Sequence, residues 1–412
     1  MLNDYVMKGQ ARDRLRKSAA GPYLGDFSDW LAGRGYQAST IGSYLEAAAR
    51  FTAWALAAAD TGPPEFLHVN WVAYRAAVSR TTRRRNPSRR DPGNRCCGAR
   101  TFIRFLRARG YSAAEPDAAP ELLQRFQHWM LQDRGVRPVT LAGYTHVLRA
   151  LLATMGEDPH AYAASQLRAF VLQQAQGWSH SKAESVVTAV RMFVHFLLAH
   201  QACSAGLEHA IPRVAGWSQA ALPRYLLPEM VAQVLAACDP STPLGARDHA
   251  VLLLLARLGL RAGDVADLRL ADLDWAQGRL RLTGKTRRES WLPLPQEVGE
   301  AILRYLDTAR PSVAHDGVFL ITRAPYTPIL SRQVSTTAER AIRRAGIASS
   351  SLGAHVFRHS AATQWVREGL SFQTIGSLLR HVDADATAIY AKVDIGRLRQ
   401  IALPWPEEEP PC

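Results

Sequence analysis

The sequence is poor in cysteine and lacks long apolar runs, and both shortages exclude classes of protein. Its five cysteines include no CxxC pair, so no zinc site of the usual thiolate spacing is available. Their odd number and scatter favour reduced thiols over a disulfide framework. The longest apolar run, Ala250–Ala256, is far shorter than the roughly 20 residues of a membrane-spanning helix, and no apolar signal core follows Met1. We therefore expect a cytoplasmic protein without a membrane role.

Acidic residues are also scarce relative to basic ones. Thirty-six Asp and Glu stand against 50 Lys and Arg, which leaves a formal net charge of +14. An excess of this kind suits a polyanionic partner, and we expect that partner to be nucleic acid. No Asp, Glu and His cluster at metal-ligand spacing accompanies the basic regions, so the sequence predicts no metal site and argues against a metal-dependent nuclease.

Two stretches in the first 200 residues repeat one pattern about 100 residues apart, at 27–44 and 126–144. Each has Phe and Trp three apart, then Arg-Gly, then a Tyr. Aromatic residues at that spacing share one helix face, and glycine after arginine is typical of a helix end. Ser39 and Thr140 are the expected N-caps of the second helix in each copy. We interpret the copies as two homologous helical domains; two unrelated but similar helical hairpins are the alternative.

An arginine-rich segment lies between the two copies. Residues 79–95 hold seven arginines and one aspartate among prolines and a glycine, which predicts a loop. Its positive field favours contacts to DNA phosphates, which position a protein without reading bases, whereas a solvated loop is the bland alternative. The candidate phosphate-binding residues of this loop are Arg83, Arg84, Arg85, Arg89 and Arg90.

The pattern changes after a stretch rich in Pro and Gly, which indicates a linker over 208–226. Helices are predicted over Pro228–Cys238, Ala246–Leu258 and Gln296–Thr308. The second of these is apolar over most of its surface and is therefore expected to be buried. Short strands are predicted over Asp272–Trp275, Arg279–Leu282 and Trp291–Leu294.

A set of polar residues is embedded in otherwise apolar helical sequence in this half. They lie in LGLRAGD (258–264), in HVFRHS (355–360), in LLRH (378–381) and in IYAKVD (389–394). With a Gly-Lys hairpin at 284–285, their order resembles that of the tyrosine recombinases, the phage integrase family, over residues 222–403. The HxxRHS motif and the nine-residue step from His381 to Tyr390 are the most restrictive features. Residues 389–394 look most like integrases encoded by transposable elements.

The resemblance implies an enzyme that breaks and rejoins DNA strands without a cofactor. Tyr390 would attack a phosphate to give a 3′-phosphotyrosyl link and a free 5′ hydroxyl. Two arginines would clamp the nonbridging oxygens, two histidines would assist proton transfer, and Lys285 would protonate the leaving oxygen. The predicted catalytic residues are Arg261, Lys285, His355, Arg358, His381 and Tyr390.

For several residues near these motifs, the sequence allows two roles. Arg287 and Arg288 could replace the lysine as proton donor or bind the DNA backbone. Asp264 could orient an active-site side chain, or simply favour a helix N-terminus as an acidic residue. Arg380 stands where the family usually has Gly, and could contact phosphate or be an exposed charge. His359 is expected to point elsewhere on its helix and to be structural.

The resemblance also implies an architecture. The expected fold is mainly α with a small antiparallel β-sheet (α+β) in the catalytic domain, preceded by helical DNA-binding domains, the whole closing on DNA as a C-shaped clamp. The predicted parts are an arm-like helical domain 1–112 with the Arg-rich loop 80–100, a core-binding domain 118–207, the linker 208–226, a catalytic domain 227–403 and a flexible tail 404–412.

The expected function is site-specific recombination for integration, excision or transposition of a mobile element. The expected partners are double-stranded DNA, further copies of the chain in a tetramer on two DNA sites, and related recombinases or helper proteins. Two alternatives stand beside it, a resolvase of chromosome or plasmid dimers and a non-catalytic DNA-binding accessory protein. All six catalytic positions are filled, which argues against the accessory protein, and the additional N-terminal residues favour the mobile element.

Overall fold

The computed structural model describes most of the chain. The described residues are 5, 9–58, 73–74, 76–78, 92–111, 120–177, 179–214, 222–283, 289–381, 383, 385–393 and 398–399. The chain divides into two compact units, one formed by residues 110–218 and the other by residues 1–109 together with 219–412. The finer division into three domains stays a prediction, and the predicted tail 404–412 lies outside the described residues.

The described residues among the first 109 form helices around an aromatic core. The helices are α1 (Gly9–Arg16), α2 (Gly21–Ala32), α3 (Ala38–Ala58) and α4 (Pro92–Ala108). Phe27 and Trp30 of α2 pack on Phe102 and Phe105 of α4, with a centroid distance of 5.1 Å between Phe27 and Phe102. Phe102 and Phe105 stack at 6.2 Å with an angle of 26°. Burial of such rings supplies much of the stability of a small helical unit.

The unit 110–218 repeats that aromatic arrangement. Its helices are α5 (Glu121–Gln132), α6 (Pro138–Met155), α7 (Ala164–Ala175) and α8 (His180–Ala199), with 3₁₀ turns at Pro159–Ala161 and Leu207–Ala210. Phe126 lies 5.5 Å from Phe193, and Trp129 lies 5.7 Å from Phe196. Phe193 and Phe196 again stack at 6.2 Å and 26°. Equivalent aromatic quartets in both copies support the interpretation that the two are homologous.

The turns of the two copies match the sequence pattern only in part. Gly35 and Gly135 have positive φ values of 76° and 59°, as expected of glycine after a helix end. The predicted N-caps are wrong, because Ser39 and Thr140 lie inside the first turns of α3 and α6. In α6 the helix already starts at Pro138, whose fixed φ and missing N–H suit the first helical position.

The C-terminal part places a small sheet among helices. Its helices are α9 (Pro228–Ala236), α10 (Pro243–Leu258), α11 (Ala262–Asp267), α12 (Gln296–Thr308), α13 (Ser331–Arg344), α14 (Ala354–Arg367), α15 (Phe372–Leu379) and α16 (Asp385–Ala388), with 3₁₀ turns at Leu270–Asp272 and Ile389–Val393. The strands β1 (Leu273–Asp274), β2 (Arg279–Thr283) and β3 (Glu289–Pro293) form an antiparallel sheet in the order β1-β2-β3. The predicted mainly α fold with a small antiparallel sheet is confirmed.

Helix α10 forms the centre of this part. Its residues 250–255 are at most 1% exposed, which confirms the prediction from its apolar surface. It begins three residues earlier than predicted, because Pro243 suits the first turn and Thr242 Oγ1 accepts a hydrogen bond from the Gly245 N–H at 3.1 Å. Helices α12 and α14 pack against it.

The predicted linker 208–226 is in part a folded segment, because Ile211 is buried in the core of the unit 110–218. Among the described residues, no helix is both long enough and apolar enough to span a membrane.

Candidate active site

The site begins where α10 ends. Gly259 follows the helix with a φ of 58°, a left-handed conformation that suits glycine. A Cβ here would lie only 3.0 Å from Leu379 Cδ2, so the position is also closely packed. Two residues on, Arg261 is the N-cap of the short helix α11, and its N–H donates to Asp264 Oδ2 at 3.1 Å. The GLRAGD motif is thus a helix end followed at once by a helix start.

Arg358 connects this motif to the end of α15. It lies on α14, and its Nη1 donates to the Gly259 carbonyl at 2.7 Å while its Nη2 donates to the Leu379 carbonyl at 2.6 Å. Carbonyls at helix C-termini carry partial negative charge and attract cations. A guanidinium has five N–H bonds, so three remain beyond these two contacts. Burial and the nearby Arg261 lower the pKa of Arg358 to about 10, which leaves it protonated at neutral pH.

A buried ion pair lies beside these two arginines. Arg380 ends α15 in a left-handed conformation with a φ of 53°, and its Nη2 donates to Asp264 Oδ2. The two side chains are only 9% and 11% exposed, so the interpretation of Arg380 as an exposed charge is wrong. Its Nη1 is buried without a hydrogen-bond partner among the described residues. Asp264 therefore binds both Arg380 and the Arg261 backbone.

The two predicted catalytic histidines each contact a hydroxyl group. His355 Nε2 lies 2.7 Å from Ser351 Oγ, and His381 Nδ1 lies 2.7 Å from Thr387 Oγ1. Burial, reinforced by the charges of Arg358 and then Arg261, lowers the pKa of His381 to about 4. Burial also lowers the pKa of His355. His381 is therefore neutral at pH 7.

Tyr390 lies in the 3₁₀ turn that packs on α14. Its side chain is 2% exposed in an apolar cluster that includes Val366, Ile375 and Leu379. Burial raises the pKa of its hydroxyl, and the charges of Arg358 and then Arg261 oppose that rise. Both positive charges therefore favour the ionised form of the tyrosine hydroxyl.

The Tyr390 hydroxyl contacts His359, a histidine that we had predicted to be structural. His359 Nδ1 lies 3.0 Å from Tyr390 Oη, so the expectation that His359 points elsewhere is wrong. The reason is that the 3₁₀ turn covers the side of α14 next to the one that presents Arg358. Burial, then the charges of His355 and Arg358, lower the pKa of His359.

Comparison with known proteins places this constellation in a family. A model described as "Phage integrase family" matches residues 224–397. The chain is 35% identical to the "Putative integrase/recombinase y4rA" of Sinorhizobium fredii (strain NBRC 101917 / NGR234), over 96% of this chain and 97% of that protein. The chain belongs to the phage integrase family. The resemblance that the sequence motifs suggested is confirmed.

Two further similarities, to XerD and to a solved XerH structure, cover less of the chain. Tyrosine recombinase XerD of Listeria monocytogenes serotype 4b (strain F2365) is 27% identical over 68% of this chain and 97% of XerD. Among solved structures, XerH site-specific recombinase bound to palindromic difH substrate in a post-cleavage complex has a TM-score of 0.53 at 16% identity. It covers 82% of this chain and 95% of the XerH chain, a similarity of fold.

The structure brings together five of the six predicted catalytic residues, on α14, just after the ends of α10 and α15, and in the 3₁₀ turn Ile389–Val393. Lys285, with Arg287 and Arg288, falls in residues 284–288 between β2 and β3, outside the described residues. The candidate phosphate-binding arginines of the loop at 80–100 also lie outside them. In the part that the structure describes, no group of three or more His, Cys, Asp or Glu residues could hold a metal ion.

The sequence pattern missed two residues of this site. His359 directly follows the arginine of HxxR, and Arg380 directly precedes the histidine of LLRH. In both cases the sequence showed only that the residue is adjacent to a motif residue, and adjacency does not reveal which way a side chain points. The orientation of His359 depends on the packing of the 3₁₀ turn, and that of Arg380 depends on its ion pair with Asp264.

The buried ion pair predicts an asymmetric response to substitution. Asp264→Asn leaves the guanidinium groups of Arg380, Arg261 and Arg358 close together without their carboxylate. We expect the free energy of unfolding to fall by about 3 kcal/mol, as for other broken buried pairs. Adding Arg380→Met removes the uncompensated charge and should recover part of that loss. Urea unfolding of the two single variants and the double variant measures the effect.

Asp272→Asn is the matched control for this cycle. Asp272 also accepts the N–H three residues before it, from Arg269, and also pairs with an arginine, Arg281. Because the Arg281 side chain is 35% exposed, solvent screens that pair, and we expect a cost of about 1 kcal/mol or less. Equal costs for Asp264→Asn and Asp272→Asn would contradict a strong buried pair.

Proposed function

We propose that this protein cleaves and rejoins DNA strands at specific sites through a 3′-phosphotyrosyl intermediate. The observation that carries the proposal is that Tyr390 lies in the 3₁₀ turn that packs on α14, the helix of Arg358, where the charges of Arg358 and Arg261 act on its hydroxyl. A phosphoryl group attacked by the tyrosine would develop negative charge on its nonbridging oxygens. Planar, permanently charged guanidinium forks are suited to bind those oxygens.

The other predicted residues complete the reaction in this proposal. His355 and His381 donate hydrogen bonds to the phosphoryl group, and Asp264 holds Arg380 and Arg261 in place. Lys285 protonates the leaving 5′ oxygen, with Arg287 or Arg288 as the alternative donor. The covalent link conserves the energy of the phosphodiester bond, so rejoining needs no nucleotide cofactor.

The proposed substrate is duplex DNA at the ends of a mobile element. The net charge of +14 supports a DNA partner, and the arginines at positions 83–90 are the proposed backbone contacts. By analogy with the family, four protomers act on two DNA sites, and the protein works in the cytoplasm in association with the chromosome. Related recombinases or helper proteins are further proposed partners.

The similarity to relatives helps to choose between two functions, recombination of a mobile element and resolution of chromosome or plasmid dimers. The protein named integrase/recombinase covers 96% of this chain, whereas XerD covers 68%. The additional residues of this chain are therefore shared with the first kind of relative and absent from the second. We accordingly favour integration, excision or transposition, and keep resolution as the second candidate on the strength of the similarity to XerD.

Covalent trapping tests the proposal. Purified protein is incubated, with a chelator present, with nicked duplexes from the ends of the element that encodes it. We expect a denaturation-resistant adduct that retains label on the cleaved strand's 3′ phosphate, releases a 5′ hydroxyl, and maps by mass spectrometry to Tyr390. Tight, salt-sensitive binding without any adduct would instead favour an accessory DNA-binding protein, and cleavage only without chelator would favour a metal-dependent nuclease.

A further inference from the structure

The nucleophile of the proposed reaction needs a group to take its proton. Attack by Tyr390 breaks the Oη–H bond as the Oη–P bond forms and the bond from phosphorus to the 5′ oxygen breaks. The leaving oxygen takes a proton from a different donor, so the phenol proton must go to an acceptor next to Oη. A proton acceptor must lie within hydrogen-bond reach, about 2.6–3.2 Å between heavy atoms.

The geometry points to His359. Its Nδ1 lies 3.0 Å from Tyr390 Oη, and the ring centroids are 5.7 Å apart. Among the histidines in the described part of the chain, it is the one with a ring nitrogen at hydrogen-bond distance from this hydroxyl. His355 instead contacts Ser351, and His381 contacts Thr387.

We propose that His359 is a catalytic residue that accepts the Tyr390 proton on Nδ1 during strand cleavage and returns it during rejoining. This inference rests on the proposed function, since it assigns a step of that same reaction. Cleavage transfers the proton from Oη to Nδ1 and leaves an imidazolium; rejoining reverses the transfer when the 5′ oxygen attacks and Tyr390 leaves.

The surroundings of His359 suit this role. The titratable and charged groups that act on it are His355 and Arg358 on its own helix, His381 after α15, and Tyr390 on the 3₁₀ turn. Burial and the neighbouring charges lower its pKa, so the ring is unprotonated at neutral pH. It is therefore in the form that accepts a proton. The imidazolium formed in the reaction would lie beside a phosphoryl group that is gaining negative charge, which offsets the repulsion from Arg358.

A resting-state contact is the competing explanation of the same distance. In that case His359 would hold the buried hydroxyl away from DNA, and removing it would speed adduct formation. A purely structural role would make the effect of substitution independent of how acidic the phenol is. The two explanations and our proposal therefore predict different results for one set of variants.

The experiment combines His359→Asn with a more acidic nucleophile. Asparagine keeps a hydrogen-bonding atom near the Nδ1 position but has no basic nitrogen. Replacing Tyr390 by 2,3,5-trifluorotyrosine gives a phenol that ionises readily and needs less help from a base. Single-turnover adduct formation on the nicked duplex is measured for all four combinations, together with DNA affinity and the urea midpoint.

With tyrosine at 390, we expect His359→Asn to slow adduct formation by about 10²- to 10⁴-fold, the usual contribution of a general base. With trifluorotyrosine, we expect the same substitution to cost tenfold or less. An equal loss with both nucleophiles, or faster adduct formation in His359→Asn, would overturn the proposal. Failure of the proposed function looks different, because then the unsubstituted protein forms no adduct at all.

Discussion

Tyr390→Phe is expected to abolish the covalent DNA adduct while leaving the fold and the DNA affinity almost unchanged. The hydroxyl is the only group removed, and it is the proposed nucleophile. Its hydrogen bond to His359 is lost, which should lower the free energy of unfolding by about 1 kcal/mol. Denaturing electrophoresis after incubation with nicked duplex measures the adduct, and salt-dependent titration measures the affinity.

Tyr305→Phe is the matched control for this prediction. Tyr305 is also fully buried, and its Oη accepts a hydrogen bond from the Leu320 N–H at 3.1 Å. Removing that hydroxyl leaves a buried N–H without its partner and costs about 1–3 kcal/mol of stability, yet should leave adduct formation intact. If Tyr390→Phe still formed the adduct, another residue would have to be the nucleophile, and the proposed mechanism would be wrong.

Arg358→Lys is expected to combine a loss of activity with a loss of stability. A lysine ammonium is a single point charge and cannot reach both the Gly259 and Leu379 carbonyls while also binding a phosphate oxygen. We expect single-turnover cleavage to slow by about 10²- to 10³-fold, as when one preorganised donor is removed from an oxyanion site. The loss of one charged hydrogen bond to a carbonyl should lower the free energy of unfolding by about 2 kcal/mol.

Arg257→Lys is the control that shows whether any arginine-to-lysine change near the site has the same effect. Arg257 lies in the last turn of α10, two residues before Gly259, and it binds Glu297 at 2.8 Å with a side chain that is 43% exposed. Solvent screens this pair, so we expect a change in stability of less than about 1 kcal/mol and no change in cleavage. Equal cleavage rates in Arg358→Lys and Arg257→Lys would contradict a phosphate-binding role for Arg358.

Periodicity and motif order were enough to predict much of this fold. The apolar run of α10 predicted a buried helix because a helix that is apolar all round has no face for solvent. The alternation around Arg279–Leu282 predicted a strand, and β2 covers that stretch. The N-caps predicted at Ser39 and Thr140 were wrong because α3 and α6 already begin at Ala38 and Pro138, and in α6 the proline suits the first helical position. The burial of Ile211, inside the predicted linker, depends on the core of the unit 110–218, which the local Pro and Gly pattern does not reveal.

For the candidate site, too, some features could be predicted from the sequence and others could not. Residue type and order along the chain determined by themselves the family, the candidate tyrosine and two arginines, and the excess positive charge, because these follow from chemistry that a short motif carries. Only the tertiary structure decided which neighbours of those motifs take part. The His359 ring contacts Tyr390, and the Arg380 guanidinium pairs with Asp264, which is 116 residues away in sequence. Contacts over such separations depend on how helices pack, and no local pattern encodes them.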